Sequence, residues 1–118
     1  MRITCELPGK PIPCPRPRVD RGRTHYTAAY DSWRETAKVL LRDACIKQNG
    51  GRLIEGPVKV SMWFHGPSKT ADIDNLQKSV LDALQGTVVV NDRLAVETHA
   101  WKCAGDERKT VVIVEVLR

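Results

Sequence analysis

Residues 70–86 read TADIDNLQKSVLDALQG, and how this stretch is read decides the fold. Ile73, Leu76, Val80, Ala83 and Leu84 recur at helical spacing, which predicts a helix with one buried face, closed by Gly86. The same segment gathers Asp72, Asp74 and Asp82 around one Lys78. A helix here must have strands to pack on, and both flanks supply them. Upstream, VKVSMWFH alternates Val58, Val60, Met62 and Phe64 with Lys59, Ser61, Trp63 and His65, the pattern of a strand, and GPSKT then breaks it. Downstream, AVETHAWKC and KTVVIVEVL read as two more strands separated by the turn-like AGDER, and an antiparallel hairpin is expected from them.

Further out, RITCELP alternates Ile3, Cys5 and Leu7 with Arg2, Thr4 and Glu6, a half-buried first strand. Five prolines between Pro8 and Pro17, followed by repeated arginines, predict an extended basic loop over about residues 8–27 rather than regular structure. From about Tyr30 the positions Trp33, Ala37, Leu40, Leu41 and Ala44 mark a first helix, ending near NGGR, and place Trp33 in the core. The 118 residues suit one domain, 1–118. The expected architecture is α+β: a small mixed sheet of about four strands with two helices packed against it. Strand order is not legible at this level.

Composition narrows the function classes. Nineteen Lys and Arg against fourteen Asp and Glu give a net charge of +5, which favours a polyanionic partner such as nucleic acid. The longest apolar run, TVVIVEVL, is interrupted by Glu115 and falls far short of the roughly 20 residues of a membrane span. The start, MRITCELPGKPIP, lacks the apolar core of a secretory signal, so a cytoplasmic location is expected. Cys5, Cys14, Cys45 and Cys103 are scattered without a CxxC pair, which points to reduced structural thiols rather than a zinc site.

The acids carry the chemistry. Asp72 and Asp74 straddle Ile73 where the chain leaves a loop for a helix, so an extended approach would aim both carboxylates one way and Ile73 into the core. Asp74, Lys78 and Asp82 are spaced by four and share a helix face. Asp92, just before a strand, could return to the same place. Hard oxygen donors beside a helix N-terminus suit Mg²⁺ or Mn²⁺, with water and substrate phosphate completing the shell. The competing explanation is local: Asp caps helix N-termini, and an Asp74–Lys78 ion pair would be worth only a few tenths of a kcal/mol. The basic residues Arg16, Arg18, Arg21 and Arg23 on the Pro-stiffened loop, with Lys69 and Arg93 near the acids, are candidates for contacts to a DNA backbone. His25, His65 and His99 are scattered, and Glu97 is a reserve ligand only.

The ordered set DIDNLQKSVLDAL, a closing Gly86 and then ND at 91–92 resembles the signature of the RusA family of Holliday-junction resolvases, as does PRPRVDRGRTHYTAAYDSWRE upstream. The resemblance implies a Mg²⁺-dependent endodeoxyribonuclease in which Asp72, Asp74 and Asp92 ligate the metal and Lys78 lies in the same catalytic centre. It further implies paired hydrolysis of four-way junction DNA giving 5′-phosphate and 3′-hydroxyl nicks, a homodimer matched to the two-fold symmetry of the junction, and a bacterial or phage-infected host cell. Recombination, repair and phage genome processing would all suit such an enzyme. The chain departs from the family pattern at Asn91, where the first of two paired acids is usual, and at Ala71, where a basic residue is common. Two other readings stay open: a Mg²⁺-dependent nuclease acting on flaps or single strands, and a DNA-binding module without activity.

Overall fold

The computed structural model describes residues 1–15, 18–20, 23–25 and 27–117, with the backbone only for 18–20 and 23–25. In chain order the elements are β1 (Arg2–Pro8), β2 (Arg18–Asp20), β3 (Arg23–His25), α1 (Ala28–Asn49), β4 (Val58–His65), α2 (Ile73–Leu84), a 3₁₀ turn (Asp92–Leu94), β5 (Ala95–Cys103) and β6 (Lys109–Val116). Four strands form one mixed sheet in the order β1-β6-β4-β5, and the expected α+β arrangement is what the chain adopts. The proline-rich stretch is not irregular throughout, because β2 and β3 pair antiparallel as a short ribbon within it.

The sheet corrects one expectation. β5 and β6 do not form a hairpin: β4 lies between them, antiparallel to β6 and parallel to β5. β4 has the stronger claim on the centre, since Val58, Val60, Met62 and Phe64 are all fully buried, and burying each such side chain is worth roughly 1.5–3 kcal/mol. A parallel neighbour needs a long connection, and α2 supplies it between β4 and β5. Residues 104–108, which read as a hairpin turn, instead carry the chain across the end of β4. There the Gly66 N–H donates to the Cys103 carbonyl (3.2 Å) and an Arg108 guanidinium N–H donates to the Gly66 carbonyl (3.1 Å).

α1 starts at Thr27, whose hydroxyl accepts the Tyr30 N–H, and ends at Gly50 in the left-handed region (φ 65°). Its face of Tyr30, Trp33, Ala37, Leu41, Ala44 and Cys45 packs with Ile3, Cys5 and Leu7 of β1 and with Val112 and Val114 of β6 in one core. α2 contributes Leu76, Ser79, Val80, Ala83 and Leu84. Ile73, predicted to be buried, is 36% exposed. Ile73 is the first residue of α2, and the buried positions of the helix start one turn in, at Leu76. All four cysteines are free, and burial, with Asp43 and Glu6 nearby, pushes the Cys5 thiol up to about 11.

Candidate active site

α2 places the acids. Asp72 is its N-cap residue, with extended backbone (φ −76°, ψ 136°), yet its side chain makes no capping hydrogen bond. The local explanation for an Asp at this position is therefore not realised, although the charge still complements the helix dipole. Asp74 lies in the first turn, and its Oδ1 accepts the Asn75 N–H at 3.0 Å. Asp74, Gln77, Lys78, Leu81 and Asp82 form one wall of an open cleft of about 310 Å³, and Asp92 comes in from beyond the helix to line it too. Asp74 and Asp92, eighteen residues apart in sequence, thus line one cleft. Asp72 does not line that cleft.

Lys78 pairs with Asp82, Nζ to Oδ2 3.7 Å, rather than with Asp74. The ion pair considered from spacing alone is thereby replaced by the one a turn further on. The Cys14 Sγ lies 3.9 Å from Asp82 Oδ2 and 3.8 Å from the Pro15 carbonyl, two acceptors for its one proton, and the Cys14 N–H donates to the Asn75 carbonyl at 2.9 Å. Cys14 is buried, and through its contacts with Asp82 and Asn75 it ties the proline-rich segment to α2. Burial, with Cys14 and Asp82 close by, holds the Tyr30 phenol well above its ordinary range, so it stays neutral at physiological pH.

The backbone at Asp92 is held by Gln85, and the turn it opens is capped by Asn91. The Asp92 N–H donates to Gln85 Oε1 at 3.1 Å, and the preceding Asn91 caps the 3₁₀ turn, its Oδ1 accepting the Arg93 N–H at 3.0 Å. The amide at 91 therefore has local work to do, as Asn commonly does at a cap. Behind it, residues 86–90 are stitched down: the Gly86 N–H reaches the Val89 carbonyl (2.7 Å), the Ile54 N–H the Val88 carbonyl (2.8 Å) and the Val90 N–H the Ile54 carbonyl (3.1 Å). Ala71 is buried, and its carbonyl accepts Lys102 Nζ at 2.7 Å. A cation from β5 thus lies beside the position before Asp72.

The remaining candidates fall elsewhere. Lys69 and Arg93 are exposed, Lys69 on a second, smaller cleft of about 280 Å³ with Pro67, Ser68, Lys102 and Cys103. Glu97, the reserve ligand, pairs with His99 at 2.7 Å on the sheet face away from the helices. Arg16 and Arg21 lie outside the described residues, as do the side chains of Arg18, Arg23 and His25. Gln85, Cys14 and Lys102, which bond to or beside the candidate residues, were not picked out from the sequence, and Asp82 was read only as sharing a helix face with Asp74 and Lys78. Asp82 alone left a trace in the sequence, as an acid in the last turn of a helix, where the dipole disfavours it.

Among the described residues no group of three or more His, Cys, Asp or Glu forms a ready-made metal site. The donor set nevertheless fits Mg²⁺, which typically takes one or two protein carboxylates and completes its octahedron with water and substrate phosphate. No helix among the described residues is long and apolar enough to cross a membrane.

A mixed sheet whose helical crossover carries an acid-lined cleft defines a small α+β domain, and sequence comparison gives its family. Residues 8–115 match the family described as Endodeoxyribonuclease RusA, and the chain belongs to it. A crossover junction endodeoxyribonuclease RusA of Escherichia coli is 31% identical over 87 residues, covering 72% of this chain and 69% of that protein. Proteins of the same name from another Escherichia coli strain and from Shigella sonnei are 34% identical over 68 residues, 57% of this chain and 53% of theirs. The chain spans about half the length of these last two.

Proposed function

We propose that this protein is a structure-selective endodeoxyribonuclease that resolves four-way DNA junctions by Mg²⁺-dependent hydrolysis, leaving 5′-phosphate and 3′-hydroxyl ends. One observation carries the reading: Asp74, Lys78 and Asp92, from a helix and from the turn beyond it, line a single cleft in a basic chain. Family membership and the names of the relatives support the nuclease class and the junction as substrate.

Asp74 and Asp92 would hold the cation, with Asp72 at the rim of the same helix end as the third carboxylate. A bound Mg²⁺ supplies Lewis acidity toward a phosphoryl oxygen and a more acidic water. The chain's own residues do the rest. Lys78 presents an ammonium to the charge that builds on the phosphate or the departing oxygen, where a fixed cation acts on the transition state without reorganising. Gln85 and the Asn91 cap keep Asp92 turned toward α2. The arginines of the proline-rich segment, with Lys69 and Arg93, neutralise backbone phosphates that the carboxylates alone would repel.

Paired nicks in a two-fold symmetric junction call for two copies of the site, and we include a homodimer in the proposal. The sheet face away from the helices, bearing the stacked Trp63 and Trp101 (4.9 Å between centroids) with Val111 and Ile113, is the apolar surface available to a second copy.

The test is cleavage of labelled four-way, flap and duplex DNA with and without Mg²⁺, by the wild type and by Asp74→Asn. Symmetric nicks confined to the junction, lost in the variant while junction binding is kept, are the expected result. Cleavage of the flap instead points to the flap or single-strand nuclease, and binding without product to the inactive module.

A further inference from the structure

Asp82 is hard to account for as part of the scaffold. It lies in the last turn of α2, a helix whose last turn holds no basic residue, so its charge faces the negative end of the dipole. Its i,i+4 partner Lys78 precedes it, the orientation that supports a helix least. Both side chains are partly solvated, 58% exposed for Lys78 and 30% for Asp82, so the pair adds little to stability. Residues that break a local rule without a structural return concentrate at functional sites.

What Asp82 does have is a built environment. Its Oδ2 lies 3.9 Å from the Cys14 sulfur, whose proton it shares with the Pro15 carbonyl, and 3.7 Å from Lys78 Nζ. Cys14 is 4% exposed and pinned by its own N–H to the Asn75 carbonyl, so the carboxylate is backed by a fixed group. The Tyr30 phenol, buried and neutral, stands in the same cluster. Lys78, with four rotatable bonds and an exposed stem, would otherwise sample the solvent.

We propose that Asp82 is a positioning residue that, braced by Cys14, holds the Lys78 ammonium on the wall of the Asp74–Asp92 cleft. The proposal rests on the nuclease reading above for what Lys78 then does, but its geometric content stands apart from cleavage. Asp82 acts through Lys78 and is not itself a cation ligand.

The experiment uses Asp82→Asn, Lys78→Met and the double variant of the full chain. ¹³C relaxation of the Lys78 ε-methylene should show restraint in the wild type compared with the exposed Lys10, and loss of that restraint in Asp82→Asn. Single-turnover junction cleavage should slow between about tenfold and a hundredfold, the scale for a displaced catalytic group, with junction affinity unchanged. In the Lys78→Met background, Asp82→Asn should cost nothing further, the non-additivity of residues acting as a unit. Mn²⁺ affinity should stay within about twofold of wild type and Tm should not fall, since an acid opposing the dipole is removed. A Lys78 as mobile as Lys10 in the wild type, a full additive loss in the double variant, or Mn²⁺ binding weakened as by Asp74→Asn each overturns the proposal. So does a lowered Tm, which would return Asp82 to the scaffold. Failure of the wild type to nick junctions refutes the nuclease reading alone, because the relaxation measurement decides the geometry without it.

Discussion

Gln85→Ala removes the oxygen that accepts the Asp92 N–H at 3.1 Å, at a residue that does not itself line the cleft. Gln85 is exposed and the freed N–H can turn to water, so the bond is worth about 1 kcal/mol or less. The Asn91 cap and the main-chain bonds between Ile54 and residues 88–90 remain, so the turn loosens without being lost. A loss of about 1 kcal/mol lowers the share of molecules with Asp92 aimed into the cleft by up to about fivefold. Single-turnover cleavage at sub-saturating Mg²⁺ should therefore slow by about two- to fivefold and recover as Mg²⁺ is raised, whereas Asp92→Asn should abolish it at every concentration. Gln85→Glu, which keeps an acceptor at the same reach, should restore the rate. A Gln85→Ala protein that cleaves at the wild-type rate in low Mg²⁺, or that is as inert as Asp92→Asn, refutes the idea that this side chain orients Asp92.

Asn91→Asp should keep the cap on the Arg93 N–H and leave stability within about 0.5 kcal/mol of wild type, as the near-equality of Asn and Asp at caps requires. The added charge beside Asp92 should raise Mn²⁺ affinity severalfold in a calorimetric titration, and an unchanged affinity would place residue 91 out of electrostatic reach of the cation. Gly66→Ala should lower the denaturation midpoint by an amount equal to about 2–3 kcal/mol, because φ is +73° and a Cβ would meet the Glu107 carbonyl oxygen at 2.5 Å. A stability loss under 0.5 kcal/mol would show that residues 104–108 yield easily at the end of β4.

The parts of this fold written in local periodicity were legible. β1 alternates as its burial does, β4 does so except for the buried Ser61, and the apolar stripe of α1 is the one its spacing predicts. What stayed hidden was set by pairing at a distance. AGDER reads alike whether the chain turns back to an adjacent strand or hops over β4, and only the greater apolarity of β4 decides between them. At the candidate site, residue type and spacing picked out Asp72, Asp74 and Lys78, and the motif picked out Asp92; the cleft brings Asp74, Lys78 and Asp92 together and leaves Asp72 outside it. Gln85 and Cys14 could not be picked out, since a neutral amide at a helix end and a thiol among prolines acquire meaning only from what folds against them. Ile73 went the other way: its helical spacing placed it in the core, but it is the first residue of α2 and the buried stripe starts one turn later, at Leu76.

The stretch between Gln85 and Asp92 has one further implication. Surface connections usually tolerate insertions and deletions, but here Thr87, Val88 and Val89 donate to the Leu84 carbonyl, Val88 and Val90 bond Ile54, and Gly86 donates to Val89. Adding or dropping a single amino acid would leave the core strands in place and rotate Asp92 off its mark. The chain is thus constrained here in length as well as in identity, and an indel scan across 86–91 would trace that ruler.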